Sequence, residues 1–168
     1  MDHKAGYVNI IGKPNVGKST LMNDLVGEKI SIITSKAQTT RHRILGIVNG
    51  DDFQIVFSDT PGIIKNPAYK MHEIMNQYIN VAFIDADLIL YVVDITDKKI
   101  DEETVERIKK MTVPVFVLLN KIDLSTQERP VTGLQNMDGP RVHPYCTPAK
   151  SDVRIYPGII GHRKKEAR

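Results

Sequence analysis

The chain has 168 residues, with 23 basic and 20 acidic side chains and a formal net charge of +3. This length fits one domain, no apolar run approaches the roughly 20 residues that span a bilayer, and one cysteine, Cys146, excludes an internal disulfide framework. We recognise no signal peptide at the amino terminus and therefore expect a soluble, cytoplasmic protein. We also expect it to be monomeric.

The composition changes near residue 128. Residues 1–127 contain 15 basic and 16 acidic side chains, whereas residues 128–168 contain 8 and 4, together with five of the nine prolines. We therefore expect a folded domain over 1–127 and an irregular, proline-rich basic tail over 128–168, since proline interrupts helices. Two interpretations of the tail stay open: a divergent native end, or an out-of-frame or artificial sequence.

Short apolar runs predict buried strands. Three apolar runs lie at 7–11, 88–93 and 113–119. Apolar strands of this length are typical of a sheet that is covered on both faces. Two further strands are predicted at 44–48 and 53–57, and the turn Asn49-Gly50-Asp51 joins them as a hairpin.

Helical periodicity appears between the strands. Helices are predicted at 19–26 and at 101–111, where acidic residues come early and basic residues late, as the helix dipole favours. A third helix carries an apolar stripe of Met71, Ile74, Met75, Tyr78, Ile79, Ala82 and Phe83. This alternation predicts an α/β fold, with a mostly parallel sheet and helices on both faces. Since we expect the C-terminal strand and helix to be incomplete, the strand at 113–119 would form a sheet edge.

The first functional motif follows the first strand. It matches G-x-x-x-x-G-K-S/T and comprises Gly12, Lys13, Pro14, Asn15, Val16, Gly17, Lys18, Ser19 and Thr20. Such a loop turns backbone N–H groups toward a polyphosphate, and the helix that follows adds positive potential. Lys18 can then reach the β- and γ-phosphates, and the Ser19 hydroxyl can ligate Mg²⁺.

A second motif, Asp59-Thr60-Pro61-Gly62, follows the predicted strand at 53–57. A carboxylate at the carboxyl end of a strand can hold Mg²⁺ through water, and the Gly62 N–H can sense a γ-phosphate. The pattern alone also describes an ordinary turn. Its position, with Asp59 40 residues after Ser19, favours the functional interpretation.

A third motif, Asn120-Lys121-Ile122-Asp123, follows the strand at 113–119. The Asp123 carboxylate can accept hydrogen bonds from the N1–H and 2-amino groups of guanine. Adenine lacks these donors, and leaving a buried carboxylate unpaired costs about 1–3 kcal/mol, which disfavours an ATPase. We expect Asn120 to tie this loop to the phosphate loop and the Lys121 stem to cover the purine. The alternative is a solvated turn in which Asp123 caps a helix.

These three motifs resemble those of the Ras-like GTPases. With one further segment they resemble the Era family of bacterial GTPases; that segment is Lys36-Ala37-Gln38-Thr39-Thr40-Arg41-His42-Arg43. The resemblance covers residues 5–127. It implies a Ras-like P-loop GTPase domain that takes GTP, GDP and Mg²⁺. The strand order implied for such a domain is 2-3-1-4-5, with the second strand antiparallel. The resemblance also implies that Thr39 or Thr40, in the first switch, ligates Mg²⁺ in the GTP form, and both stay open. Arg41 and Arg43 are expected to be surface charges rather than catalytic fingers.

Two positions bear on the hydrolysis mechanism that the resemblance implies. Ile63 stands where Ras carries a glutamine that orients water, and isoleucine cannot form that hydrogen bond. In some related GTPases an asparagine placed like Asn15 helps to bind K⁺, which replaces an arginine finger. A simple turn role for Asn15 is weighed equally.

The resemblance further implies a switch in maturation of the small ribosomal subunit. Its partners would be small-subunit ribosomal RNA and the pre-ribosomal subunit, bound through a KH-type RNA-binding domain that we expect to be absent because the chain ends at Arg168. No DNA partner is implied, and peripheral contact with a membrane stays open. The alternative function is a truncated or frame-altered fragment that binds nucleotide weakly, without turnover or a ribosomal role.

Overall fold

A computed structural model describes residues 3–33, 40–64, 68–97, 100–124 and 141–144. The strands in these ranges are β1 (Lys4–Gly12), β2 (Ile44–Asn49), β3 (Phe53–Asp59), β4 (Leu88–Asp94), β5 (Val115–Asn120) and β6 (Arg141–Pro144). The helices are α1 (Lys18–Val26), α2 (Lys70–Ile84) and α3 (Glu102–Lys109), followed by a 3-10 turn at Ile122–Leu124. None of the helices described there combines the length and apolar composition that a bilayer crossing requires.

The strands form one sheet in the order β2-β3-β1-β4-β5-β6. Strand β1 pairs in parallel with β3 and β4, and β4 pairs in parallel with β5. Strand β2 pairs antiparallel with β3, with Asn49 opposite Gln54 at the turn. The predicted hairpin and the order of the first five strands are therefore confirmed.

Apolar side chains cover both faces of the sheet. Successive residues of a strand point to opposite faces, and the fully buried Ile10 and Ile11 of β1 accordingly lie in different clusters. Ile10 packs with Leu21 and Met22 of α1, whereas the cluster around Ile11 contains apolar residues of α2 and α3. Burying one such side chain contributes about 1.5–3 kcal/mol, so both faces stabilise the sheet.

Helix α2 buries a narrower face than its sequence predicts. Met75, Ile79, Ala82 and Phe83 are buried, as expected. Met71 and Ile74, which belong to the predicted stripe, are 40% and 44% exposed. The prediction was wrong for these two residues because a helix lying on one face of a sheet contacts it along a limited arc of its surface.

Strand β6 corrects the expected sheet edge. Residues 141–144 pair in parallel with β5, from Phe116 opposite Arg141 to Leu119 opposite Pro144. The strand at 113–119 is therefore not an edge, and these four tail residues are not irregular. Because the sequence Arg-Val-His-Pro has no apolar run, its strand character comes from pairing rather than from its own pattern. Pro144 is compatible with an edge strand, where no partner needs its missing N–H. The other residues of 128–168 lie outside the described ranges.

The parallel strands place their carboxyl ends at one edge of the sheet. There lie Gly12 of β1, Asp59 of β3, Asp94 of β4 and Asn120 of β5. The carboxyl ends of parallel strands are where ligands bind in open α/β sheets. All three predicted motifs consequently meet at this edge.

Candidate functional site

The loop between β1 and α1 depends on two residues with positive φ. Asn15 has φ of 61° and Gly17 has φ of 100°. A Cβ on Gly17 would lie 2.1 Å from the side-chain nitrogen of Asn120. Glycine is therefore required at position 17 both by the left-handed backbone and by the close approach of a neighbouring loop.

Lys18, the first residue of α1, is folded back over this loop. Its ammonium donates hydrogen bonds to the carbonyls of Lys13 (2.7 Å) and Gly12 (3.2 Å). Burial lowers the pKa of Lys18 to about 8, and the charge of Asp59 opposes part of this effect. A buried cation with one acidic neighbour favours an anionic ligand, which would restore its charge balance.

Three oxygen-bearing side chains converge beside Lys18. The Ser19 hydroxyl donates a 2.7 Å hydrogen bond to Asp59 Oδ2. The Thr40 hydroxyl lies 3.3 Å from the Ser19 hydroxyl and 3.4 Å from Asp59 Oδ2. Thr39, the other threonine expected to be able to ligate Mg²⁺, lies outside the described residues. The structure therefore brings Ser19, Thr40 and Asp59 together.

The oxygen cluster fits a hard divalent cation. Asp59 is fully buried, and its Oδ1 atom has no hydrogen-bond partner among the described residues. Burial raises the pKa of this carboxyl, although the Ser19 hydrogen bond and the Lys18 charge act in the opposite direction. Mg²⁺ takes oxygen ligands and relies on only one or two protein carboxylates. The donor types present are thus those of a magnesium site.

The segment after β3 lies against the loop of the first motif, between β1 and α1, which we call the phosphate-type loop. The buried Thr60 hydroxyl donates to the Ile10 carbonyl at 2.8 Å, and the Ile63 N–H donates to the Gly12 carbonyl at 3.1 Å. A Cβ on Gly62 would lie 2.5 Å from the backbone nitrogen of Pro14. Ile63 itself packs against the apolar cluster on the α2 side of the sheet.

The loop after β5 is also attached to the phosphate-type loop, as expected for Asn120. The buried Asn120 amide donates a 2.7 Å hydrogen bond to the Val16 carbonyl. Lys121 has φ of 61°, and its ammonium pairs with Asp94 at 2.5 Å. Asp123 is exposed at the end of this loop.

Asp94 was not singled out from the sequence. It ends β4 at the same edge as the three motifs and is 7% exposed. The available signal was its place immediately after the predicted strand at 88–93. Nearby, Lys13 of the phosphate-type loop pairs with Asp97 at 3.0 Å, and both side chains are about one-third exposed, so this pair contributes little to stability.

Arg43 is not the surface charge that was expected. Its Nε donates to the Ser58 hydroxyl at 2.5 Å, and one terminal nitrogen donates to Asn9 Oδ1 at 2.8 Å. The guanidinium also forms an ion pair with Asp85, and the Arg43 side chain is only 15% exposed. The prediction was wrong because these partners are distant in sequence and only the fold brings them together.

Comparison with known proteins identifies relatives of the whole described domain. A model of the family described as 50S ribosome-binding GTPase matches residues 7–121. The chain is 47% identical over 135 residues to GTPase Era of Clostridium acetobutylicum, which is 79% of this chain and 45% of that protein. The chain thus spans less than half the length of this relative.

Solved structures of Era show the same fold. One, a complex with MgGDPNP and nucleotides 1506–1542 of 16S ribosomal RNA, has a TM-score of 0.75 and 38% identity, over 86% of this chain and 51% of that chain. Another, an Aquifex aeolicus Era variant bound to GDP and AlF4⁻, has a TM-score of 0.70 and 39% identity. It covers 85% of this chain and 51% of that chain.

Proposed function

Because the chain belongs to the family of 50S ribosome-binding GTPases, we propose that it binds Mg²⁺–GTP and hydrolyses it to GDP and phosphate. The observation that carries this proposal is the cluster of Ser19, Thr40 and Asp59 beside the buried Lys18 ammonium. A buried ammonium and a set of oxygen ligands, placed at a P-loop, together suit a metal-bound triphosphate.

Within this proposal, Ser19 and Thr40 hold the metal directly and Asp59 holds it through water. Thr40 supports this assignment because its hydroxyl lies 3.3 Å from the Ser19 hydroxyl, whereas Thr39 lies outside the described residues and stays an alternative. The ion supplies charge neutralisation between the phosphates. Lys18 binds the β- and γ-phosphates, and the Gly62 N–H senses the γ-phosphate.

Guanine selectivity is assigned to the loop after β5. Asn120 holds this loop against the phosphate loop through Val16. Within the proposal, the exposed Asp123 carboxylate accepts hydrogen bonds from the N1–H and 2-amino groups of guanine, and the Lys121 stem covers the purine face.

Hydrolysis in this chain does not use a glutamine at position 63. Ile63 packs into the apolar cluster and offers no hydrogen bond to water. Asn15 is placed in the phosphate loop with positive φ, where its side chain could assist a K⁺ ion beside the phosphates. We include K⁺ as a second bound ion because the family resemblance implies it.

The proposed context is that of an Era-type switch. Residues 1–127 would form the GTPase domain. One Era structure contains a segment of 16S ribosomal RNA. This supports small-subunit ribosomal RNA and a pre-ribosomal subunit as partners. The proposed place of action is the cytoplasm. The domain boundary at 127 and the monomeric state are part of the same proposal.

Titration of the purified chain with GDP, GTP and ATP in Mg²⁺ tests the proposal. We expect guanine nucleotides to bind and ATP to compete poorly, with phosphate release from GTP that is faster in K⁺ than in Na⁺. Asp123→Ala should lose the preference for guanine, and Asp52→Ala, in the hairpin turn far from the motifs, is the matched control.

The outcomes separate the proposal from its alternative. Guanine-selective binding without phosphate release would leave a nucleotide-binding fragment without turnover. Equal affinity for ATP and GTP would contradict the role of Asp123. Release that is identical in K⁺ and Na⁺ would remove K⁺ from the mechanism while leaving the GTPase assignment intact.

A further inference from the structure

Arg43 immediately precedes β2 and follows Thr40 by three residues. Every nitrogen of its guanidinium is bound: Nε to Ser58 (2.5 Å), Nη2 to Asn9 (2.8 Å) and to Asp85 Oδ1 (3.2 Å), and Nη1 to Asp85 Oδ2. The planar fork of arginine makes such a set of contacts orientation-specific. Arg43 is therefore held in one geometry.

The partners of Arg43 lie on three different elements. Asn9 of β1 and Ser58 of β3 are register neighbours, and both are fully buried. Asp85 directly follows the last residue of α2. Asn9 also donates to Asp85 Oδ1 (2.7 Å) and to the Ala82 carbonyl (2.6 Å) of α2. We call Asn9, Arg43, Ser58 and Asp85 the Arg43 network.

The side-chain contacts of Thr40 are long. The Thr40 hydroxyl lies 3.3 Å and 3.4 Å from its neighbours, well beyond the usual length of about 2.7–2.8 Å for a bond between hydroxyl oxygens. Two residues lie between Thr40 and Arg43, so the two Cα atoms can be at most about 10 Å apart. The place of Arg43 therefore limits where Thr40 can lie.

The chain before Thr40 has a separate anchor on α1. Asn23 Oδ1 accepts the N–H groups of Ile30 (2.9 Å) and Ser31 (2.8 Å), and its amide donates to the Ser31 carbonyl (2.9 Å). This anchor lies nine residues before Thr40. Arg43 is nearer to Thr40 than this anchor, and it connects to the end of α2 through Asp85. The neighbouring His42 also meets α2, with its ring edge-on to Tyr78 at 5.9 Å between centroids.

We propose that Arg43 is a positioning residue for Mg²⁺–GTP, which holds Thr40 beside Ser19 and Asp59 and couples this arrangement to α2. The inference rests on the proposed function, because Thr40 matters in this way only if it meets the metal. First-switch segments are ordered by the γ-phosphate and its Mg²⁺. GDP lacks that phosphate, so loss of Arg43 weakens the GTP form selectively.

The test compares nucleotide affinities of the full chain and its Arg43→Gln variant. We expect the affinity for Mg²⁺ and the non-hydrolysable analogue GDPNP to fall about tenfold, while GDP affinity changes less than about twofold. Arg43→Lys keeps the charge but loses the fork, so it should show most of the same loss. Arg107→Gln is the matched control, because Arg107 also contacts α2, through Asn80 (3.0 Å) and the Phe83 ring, and its affinities should not change.

Further arms keep the inference separable from the proposed function. Asp85→Asn should shift the GDPNP affinity in the same direction, and combining it with Arg43→Gln should add little. Equal losses for GDP and GDPNP, or no loss, would overturn the positioning role. If the parent chain binds neither nucleotide, the proposed function fails. Amide hydrogen exchange of residues 40–42 then tests the positioning role by itself. Faster exchange in Arg43→Gln but not in Arg107→Gln supports that role, and unchanged exchange rates overturn it.

Discussion

The Lys121 ammonium lies 2.5 Å from Asp94 Oδ2 at the carboxyl edge of the sheet. The other oxygen of Asp94 accepts hydrogen bonds from the Thr96 N–H (2.9 Å) and hydroxyl (2.6 Å). The loop after β5 is thereby attached to the loop after β4, and Asn120 attaches it to the phosphate loop. The proposed guanine-binding loop is thus held from two sides.

Asp94 should make the stability of the chain depend on acid pH. Burial alone raises its pKa, but the hydrogen bonds from Lys121 and Thr96 outweigh burial, so the net pKa lies below its ordinary value of 3.8. Such a carboxylate stabilises the fold above that value, and the contribution disappears as the pH falls through the folded-state pKa. We expect Asp94→Asn to unfold at lower urea than the parent at pH 7, with the difference closing below about pH 4. A difference independent of pH would contradict this assignment.

Removing the Asn120 amide should destabilise the fold. Asn120→Ala leaves the Val16 carbonyl without its 2.7 Å partner in a buried setting. An orphaned buried acceptor costs about 1–3 kcal/mol in the free energy of unfolding, measurable by urea denaturation. Asn49→Ala is the control, because its contact with Gln54 is exposed and should be worth less than about 0.5 kcal/mol. Equal effects of the two changes would refute the role of burial.

Gly17 and Gly27 offer a matched pair for separating backbone strain from steric overlap. Both have positive φ, 100° and 81°, but only Gly17 has a neighbour that an added Cβ would strike, the Asn120 amide at 2.1 Å. Gly27→Ala should therefore cost about 1–2 kcal/mol from the left-handed backbone alone. Gly17→Ala should cost more and should also weaken nucleotide binding. Thermal or urea denaturation of both variants checks the order.

Magnesium removal should act through Ser19. If Ser19 ligates the metal, chelation with EDTA should speed the release of a fluorescent GDP from the parent chain. Ser19→Ala should release the nucleotide rapidly with or without EDTA, because the ligand is already missing. Asn76→Ala serves as the control, since Asn76 contacts the backbone of Ile64 rather than the oxygen cluster. An undiminished EDTA response in Ser19→Ala would remove Ser19 from the metal site.

Several elements could be predicted from local pattern. The central strands β1, β4 and β5 each contain an apolar run, which is typical of strands buried on both faces of a sheet. The phosphate-type loop was recognised because its glycines and Lys18 stand at the spacing required for an anion site before a helix. The contact between Asn120 and the phosphate loop was also expected, since strand ends of a parallel sheet converge at one edge.

Other features could not be predicted locally. Strand β6 has no apolar run, and its pairing with β5 defines it. Met71 and Ile74 have the spacing of core residues, yet the arc of α2 that meets the sheet excludes them. Asp94 lies in no motif, and its importance follows from the loop that packs over it.

The α/β class and the three motifs could be predicted from the chain alone, because hydrophobic periodicity and ligand spacing are properties of neighbouring residues. The order of the first five strands was predicted from the resemblance to Ras-like GTPases. Only the tertiary structure decided which distant groups meet. Arg43 could be interpreted as a surface charge until the fold placed Asn9, Ser58 and Asp85 around it. The Arg43–Asp85 pair joins residues 42 positions apart in sequence, and the physical reason is that pairing is set by the packed environment rather than by the local chain.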